Sequence, residues 1–274
     1  MIDALQYEYM QRALAVAILA AITCGLIGVY IVIRKMVFIS GGISHASFGG
    51  IGLGWYLGIN PLIGAMLFAM FSALSMGFVS RRAKLSEDTS IGIMWAVGMA
   101  LGILFIGLKP GYADELFGYL IGNILFVSSS DVVLMVIIAL ITALTVILLY
   151  KEFLALSFDE EFGTVVGAPM NYLYYLLLCL IAITVVVLIR VVGIILVIAL
   201  LTIPASIARR YTHELWKMML LSIVLGITFT ITGLWLSYET DIASGATIIL
   251  TSATLFLLST IISRRQHKRI DSTV

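Results

Sequence analysis

The chain has 274 residues, of which 62% are hydrophobic and 11% are charged, with a net charge of +1 and a mean hydropathy of +1.14. Soluble domains carry roughly 25% charged residues, so this composition excludes a water-soluble protein, and the net charge gives no indication of nucleic-acid binding. One crossing of the bilayer core takes about 20 apolar residues, so the length allows roughly eight to ten membrane helices.

The hydropathy pattern divides the sequence into long apolar runs joined by short polar connections. It predicts an all-α integral membrane protein, a polytopic bundle of about eight or nine transmembrane helices, in a single transmembrane domain over residues 1–274. The nine apolar runs cover approximately residues 13–33, 43–58, 61–80, 91–108, 132–150, 172–189, 193–208, 218–236 and 243–263.

The second run is rich in glycine and serine and carries His45 near its middle (residues 41–58, GGISHASFGGIGLGWYLG). Small residues let helices approach closely, so this segment is predicted to face the interior of the bundle. An ionisable side chain within a bilayer is costly and marks a functional site by default. A neutral imidazole at this depth could ligate a transition-metal ion transiently, or else it is a histidine that only packs.

The apolar stretch of residues 115–127 is too short to cross the bilayer. We expect it to form a re-entrant or short helix at the outer face, where its ends meet protein or water. Three acidic residues are predicted to lie at the same face: Asp114 just before the stretch, Glu115 at its start and Asp131 just beyond it. They would attract cations or an external partner protein, or else be solvated ends of loops.

The basic residues predict how the bundle lies in the membrane. When nine helices alternate in direction, every Lys and Arg except Arg12, Lys109 and Arg190 lies on one face. Because short cytoplasmic loops are enriched in Lys and Arg, that face is predicted to be cytoplasmic. The N-terminus is then outside and the C-terminus inside.

Two features at the predicted inner face follow from local sequence. Asp88, just before the fourth run, is expected to cap the start of that helix. The longest inner connection, about residues 151–171, is acidic and amphipathic. A short helix of this kind either docks by its apolar side into a groove on a soluble partner or merely connects two spans.

Several motifs together resemble the permease subunits of the zinc, manganese and iron ABC importers. The sequence Phe158-Asp159-Glu160-Glu161-Phe162 is followed by Val166-Gly167 and then by the run Val191–Ala205 (VVGIILVIALLTIPA). Further matches occur in the order that the family has them and cover nearly the whole chain, at residues 43–46, 87–93, 120–125 and 244–248.

The resemblance implies the partners and the division of labour. Two permease copies in a lipid bilayer work with a cytoplasmic ABC ATPase dimer and an extracytoplasmic metal-binding protein that delivers the ion. The chain has no GxxxxGK[ST] pattern, so ATP would be hydrolysed on the partner and this subunit is not itself an enzyme. It would bind no permanent cofactor, and its cargo would be a divalent metal ion. The expected location is the plasma membrane of a prokaryote, or the inner membrane of a Gram-negative cell.

The resemblance also assigns the acidic loop to the coupling helix, the segment that lies in a cleft of the ATPase. The residues expected to couple ATP hydrolysis to transport are Phe158, Asp159, Glu160, Glu161, Phe162 and Gly167.

For the metal pathway, family members often read Gly-Asp-Ala-Ile-Ser-His-Ala, which places a carboxylate and an imidazole on one helical face. Here Gly41 stands in place of the acid, so His45 lacks half of the expected ligand pair. Asp241 aligns with an acidic position of the family motif Asp-Leu-Pro-Ser-Gly-Ala, in which Ala243 replaces the proline. We therefore expect His45 and Asp241 to be transient metal ligands, although Asp241 as a solvated loop acid is the alternative.

Other sources of a second ligand are Glu239 and the serines Ser44 and Ser47 beside His45. Three other functions stay open at this point, of which one is a membrane scaffold without transport activity and the other two are transporters. One transporter is a permease for a metal chelate of the siderophore or cobalamin type, which the missing acid favours. The other is an ion-driven secondary carrier, which paired carboxylates within a span would favour, but the sequence has none.

Overall fold

The computed structural model describes residues 6–83, 86–109, 122 and 124–271, without the side chains of residues 83, 87 and 262–271. The described part is helical throughout, as the hydropathy pattern predicts, and contains no strand. A short 3₁₀ helix, Ile124–Phe126, precedes the fifth α-helix. The α-helices are α1 (Glu8–Ile33), α2 (Val37–Leu57), α3 (Pro61–Ala83), α4 (Glu87–Leu108), α5 (Ser129–Leu148), α6 (Tyr150–Phe158), α7 (Glu160–Val165), α8 (Met170–Val192), α9 (Ile194–Tyr211), α10 (Leu215–Thr240) and α11 (Ser244–Asp271).

Each predicted apolar run corresponds to one long helix, and the two short helices α6 and α7 occupy the predicted coupling loop. Within the described residues, eight of the long helices are long and apolar enough to cross a membrane. The other long helix is α2, whose glycines, serines and histidine lower its hydropathy. The prediction for residues 115–127 falls mostly outside the described residues, which there comprise Gly122 and residues 124–127.

Close contacts give the relative directions of the helices. Going along α2, Gly42 lies against Ile91 and Gly52 against Gly102, so α2 and α4 run parallel. Along α1, Gly28 lies against Leu201, and Val32 accepts a hydrogen bond from Arg209 on α9 over 2.8 Å, so α1 and α9 are also parallel. Both relationships are those that nine alternating spans require.

The two ends of the bundle differ in their side chains. Arg34, Arg81 and Arg209 lie at or next to the ends of α1, α3 and α9, and α6 and α7 pack at the same end, which we call the basic end. At the opposite end, the Nζ atom of Lys109 donates to the carbonyl oxygen of Trp55 over 2.6 Å. The uneven distribution of basic residues in the sequence therefore corresponds to two chemically different ends of the folded bundle.

Asp131 is not the solvated loop acid, or cation attractor, that the sequence suggested. It is buried, and its Oδ1 atom lies 2.7 Å from the Nε atom of Arg190. Its other carboxylate oxygen accepts from the backbone N–H of Ser128, whose hydroxyl in turn accepts from the backbone N–H of Asp131, which completes a capping box at the start of α5. Asp131 therefore stabilises a helix start and joins it to the end of α8. The predictions for Asp114 and Glu115 lie outside the described residues.

At the start of α4, the cap is Ser86 and not Asp88. The hydroxyl of Ser86 accepts from the backbone N–H of Thr89 over 3.2 Å, whereas Asp88 is exposed in the first turn. A carboxylate in the first turn still interacts favourably with the positive end of the helix dipole. The cap therefore lies two residues before the predicted one, and the prediction of Asp88 as the capping residue was wrong.

Candidate metal pathway and coupling surface

Helix α2 is held between α3 and α4 by contacts between backbones. A Cβ atom at Gly50 would lie 2.1 Å from the carbonyl oxygen of Gly64 on α3, and one at Gly52 would lie 2.5 Å from that of Gly102 on α4. No side chain fits at such positions, so glycine is what allows these helices to touch. The contacts fix the position of α2 and with it that of His45.

His45 is the only acidic or basic residue of α2 and is partly buried. Its ring stacks on the indole of Trp95 from α4, with centroids 4.1 Å apart and planes inclined by 7°. The Nδ1 atom is buried and has no hydrogen-bond partner among the described residues. Six other buried side-chain atoms of the described residues also lack a hydrogen-bond partner, so what distinguishes this one is its chemistry: an unpaired imidazole nitrogen is able to ligate a metal ion transiently.

The two serines near His45 are used within α2 itself. The hydroxyl of Ser44 donates to the carbonyl oxygen of Ser40, and that of Ser47 donates to the carbonyl oxygen of Ser44, each over 2.7 Å. Both serines are fully buried, whereas His45 is partly exposed. The structure therefore gives no support to either serine as a second ligand.

Gly41 lies one helical turn before His45, and space is available beside it. A Cβ atom there would have Ile198 Cδ1 at 3.5 Å and Trp95 Cζ3 at 3.9 Å as its nearest neighbours, which are ordinary contact distances. A Cβ atom would thus fit at Gly41 without a clash, although the chain has no side chain there. In the described part of the chain, no group of three or more His, Cys, Asp or Glu side chains is placed to hold a metal ion.

Asp241 does not meet His45 within one chain. It ends α10 in the left-handed conformation, with φ of 54°, and its side chain is exposed at the mouth of a small cavity of about 230 Å³. Helix α10 packs against α1, α9 and α11, whereas α2 packs mainly against α3 and α4. Glu239, the other acid in this region, is exposed and accepts from the indole N–H of Trp235 over 3.2 Å.

In the coupling loop, Asp159 and Gly167 shape the two ends of α7. The Oδ1 atom of Asp159 accepts from the backbone N–H of Phe162 over 2.8 Å and caps the first turn. Gly167, with φ of 87°, ends the helix. Its N–H and that of Ala168 donate to the carbonyl oxygens of Thr164 and Gly163 over 3.0 Å, the Schellman arrangement that favours glycine.

The apolar residues of this loop divide between two faces. Phe153 and Leu156 of α6 are buried against the bundle, and Gly163 lies so close to Met170 that a Cβ atom would overlap it. On the other face, four apolar side chains are between 56% and 84% exposed, and we call them the coupling patch: Phe158, Phe162, Val165 and Val166. Glu161 is exposed in the first turn of α7.

Glu160 points toward the bundle. Its Oε1 atom lies 2.5 Å from Nη2 of Arg81, and its Oε2 atom lies 3.3 Å from Nη2 of Arg34. The predicted coupling residues thus separate into helix-shaping residues, exposed residues and one residue anchored to the bundle. Sequence reasoning did not identify Trp95, Arg34 or Arg81 as members of these sites. The only signal for the arginines was their position at the ends of apolar runs.

The chain is similar in sequence and in structure to known membrane transport proteins. A family model described as the ABC 3 transport family matches residues 6–263. The chain is 48% identical over 259 residues to an uncharacterized membrane protein of Synechocystis sp., covering 94% of this chain and 92% of that protein. It is 37% identical over 262 residues to a manganese transport system membrane protein of Listeria monocytogenes, covering 96% of this chain and 93% of that protein. Among solved structures, PsaBC from Streptococcus pneumoniae in complex with Fab matches with a TM-score of 0.84 and 35% identity, over 94% of this chain and 93% of that chain.

Proposed function

Since the chain belongs to the ABC 3 transport family, as the permease subunit of a metal ABC importer, we propose that the ion it carries into the cell is manganese(II). The subunit is a transport component and not an enzyme. Support for manganese comes from relatives that carry manganese in their names and match this chain over nearly its whole length. Zinc and iron(II), the other metals carried by the importers that the sequence resembles, are the competing cargoes.

The observation that supports a metal pathway through this chain is the unpaired Nδ1 atom of His45 on a helix fixed by backbone contacts. An importer must bind its ion strongly enough to admit it and weakly enough to release it. Manganese(II) is the weakest binder of the divalent transition metals at a given set of ligands. One imidazole without a neighbouring carboxylate is a weak site, in contrast to the closed four-ligand set of a structural metal. This site does not by itself select manganese, which prefers oxygen ligands, so the choice of manganese rests on the relatives.

The pathway in this proposal lies at the two-fold axis of a homodimer. In one chain, α4 and α11 are the least buried spans, with only 17% of the residues of each buried, whereas 72% are buried in α1 and α8. The exposed faces of α4 and α11 are therefore available to a second copy or to lipid, and Trp95 brings α4 next to His45. A second copy would bring further ligands toward the axis, Asp241 among the candidates.

A cytoplasmic ATPase dimer, which binds and hydrolyses the ATP, would dock on the coupling patch. Exposed apolar side chains on a short helix at one end of a membrane bundle fit a groove on a soluble protein. This assignment makes the basic end cytoplasmic, in agreement with the positive-inside rule, and it places the N-terminus outside. An extracytoplasmic metal-binding protein would deliver the ion at the opposite end, in the plasma membrane of a prokaryote.

The proposal is tested by uptake of radioactive manganese, zinc and iron(II) into proteoliposomes that contain this chain, its ATPase and its binding protein. We expect uptake of manganese that requires ATP. Uptake that continues without the ATPase and collapses with the proton gradient would indicate a secondary carrier. Uptake of a metal chelate but of no free ion would indicate a chelate importer, and ATP-dependent uptake of zinc or iron(II) alone would replace manganese as the cargo.

A further inference from the structure

Glu160 is the meeting point of two membrane helices and the coupling segment. Both of its carboxylate oxygens are ion-paired, one with Arg81 near the end of α3 and the other with Arg34, which directly follows α1. The side chains of Arg34, Arg81 and Glu160 are 14%, 26% and 35% exposed, so water screens this cluster less than it screens a pair on an open surface.

Each of the two arginines also donates a hydrogen bond to another helix. Arg34 donates to the backbone carbonyl oxygen of Leu156 in α6, and Arg81 donates to the side-chain oxygen of Asn171 in α8. The buried ring of Tyr174 lies below both guanidinium groups, 5.2 Å from that of Arg34 and 4.1 Å from that of Arg81. The guanidinium groups are thus held in place before they meet the carboxylate, which reduces the conformational freedom lost in forming the pairs.

The other contacts of α7 are different in kind. Gly163 packs on the flexible side chain of Met170, and the rest of the helix presents its apolar side chains outward. An apolar contact on a methionine is non-directional and adapts to small shifts. Paired hydrogen bonds from two arginines are directional and resist them.

We propose that Glu160 is a positioning residue that locks α7 to the ends of α1 and α3, so that a displacement of α7 by the ATPase moves these helices. The proposal rests on the proposed function, in which the coupling patch meets the ATPase. The link continues from α3 to the metal pathway, because α3 touches α2 through Gly64 and Gly50, only five residues from His45. Glu160 itself would make no contact with the ATPase.

The first test separates ATP hydrolysis from transport. Glu160→Gln keeps the size of the side chain and removes its charge. In the complete complex we expect the ATPase to remain bound and its hydrolysis rate to stay within about twofold of wild type, while metal uptake per ATP falls by about tenfold or more. Loss of ATPase binding would overturn the proposal by making Glu160 a docking residue, and unchanged uptake per ATP would overturn it as well.

A matched pair of variants checks that the effect passes through the ion pair. Arg81→Gln removes the partner at 2.5 Å, and we expect it to lower uptake per ATP in the same direction. Combined with Glu160→Gln, the double variant is expected to be little worse than either single variant, because residues of one network are not additive. Fully additive losses would show that the two residues act independently and would contradict the proposal.

The second test does not depend on transport. Hydrogen exchange of the purified chain in detergent is expected to be faster over residues 150–166 in Glu160→Gln than in wild type, with no change in α8 beyond its first turn. Glu161→Gln, which neutralises the adjacent exposed acid, is the control and should leave this exchange unchanged. Equal exchange in wild type and Glu160→Gln would refute the lock. Absence of ATP-dependent uptake in the wild-type complex would refute the proposed function, and the exchange result would still decide whether Glu160 holds α7.

Discussion

The imidazole ring of His45 lies flat against the indole ring of Trp95, with ring centroids 4.1 Å apart and planes 7° apart. The two residues belong to parallel helices whose backbones are in contact, so neither ring can turn freely. A stacked neighbour holds the ring plane, in which the nitrogen lone pair and the N–H bond of a neutral imidazole point, as packing and hydrogen bonds do for metal-binding histidines in general. Trp95 therefore orients the imidazole of His45.

Replacement of His45 tests its role as a ligand. We expect His45→Ala to reduce ATP-dependent manganese uptake by about tenfold or more, because even residues that only support a ligand change metal affinity by about 10–100-fold. Proteoliposome uptake with the complete complex measures this. His213→Ala is the control, since His213 is exposed at the basic end. Equal uptake in wild type and His45→Ala would make His45 a packing residue.

Gly41→Asp is expected to strengthen manganese binding. The substitution places a carboxylate one turn from His45, at a position where a Cβ atom makes only ordinary contacts. We expect the KM for manganese to fall by about tenfold, equivalent to about 1.4 kcal/mol, and turnover to slow because the ion leaves less readily. Gly41→Asn has nearly the same shape without the charge and should change neither quantity as much. A KM unaffected by Gly41→Asp would argue that the ion does not pass this face of α2.

The glycines of α2 are expected to differ in how they tolerate alanine. At Gly50 a Cβ atom would lie 2.1 Å from a backbone oxygen of α3, whereas at Gly41 the nearest atom would be 3.5 Å away. Gly50→Ala should lower stability by at least about 1–3 kcal/mol, the usual effect of overpacking, and Gly41→Ala should not lower it. Thermal unfolding in detergent, followed by a thiol-reactive dye that reports exposure of the buried Cys24, compares the two. Equal melting temperatures would mean that α2 and α3 are not in backbone contact.

The coupling patch is expected to bind the ATPase. Phe162 is 61% exposed, so Phe162→Ser removes little internal packing and should not change the melting temperature. It should weaken ATPase binding by about tenfold or more, as truncation of an aromatic anchor does. Co-purification and titration of the ATPase measure the effect. Ile195→Ser, at a similarly exposed apolar residue near the opposite end of the bundle, should leave ATPase binding intact. Retention of full affinity in Phe162→Ser would place the ATPase elsewhere.

Asp131→Asn is expected to destabilise the fold without a direct effect on the metal. The change removes one charge of the pair with Arg190 and weakens the cap of α5. The expected loss is about 1–3 kcal/mol, below the cost of breaking a fully buried pair because Arg190 is 32% exposed. The melting temperature should fall, and uptake by the folded fraction should keep its KM for manganese. An altered KM would restore Asp131 as a group that attracts the ion.

The helices were predicted well from the sequence because hydropathy directly reports which segments leave water, whether they then face lipid or protein. The family resemblance was confirmed as well, over nearly the whole chain. The starts of helices were less accurate. Helix α2 begins at Val37, whereas its apolar run was placed from residue 43, since the serine and glycines that precede Ile43 are buried in the fold although they are not apolar.

Which way a side chain faces could not be predicted, because it depends on contacts between distant parts of the chain. Asp159, Glu160 and Glu161 look alike in sequence, yet one caps a helix, one is ion-paired with the bundle and one is exposed. Their difference arises from Arg34 and Arg81, which are separated from Glu160 by 126 and 79 positions. The stacking of Trp95 on His45 was hidden for the same reason.

The composition of α2 has a consequence for how the protein is made. Helices α3 and α4 are among the eight described helices that are long and apolar enough to cross a membrane. Helix α2 is not among them. Because α2 leaves the ribosome first, it reaches the translocon before the two helices that surround it in the finished bundle. We therefore expect its integration to be completed when α3 and α4 arrive and cover its glycines and His45. Because the glycines of α2 need α3 and α4 as their partners, we expect the order of synthesis to affect how α2 reaches its final position.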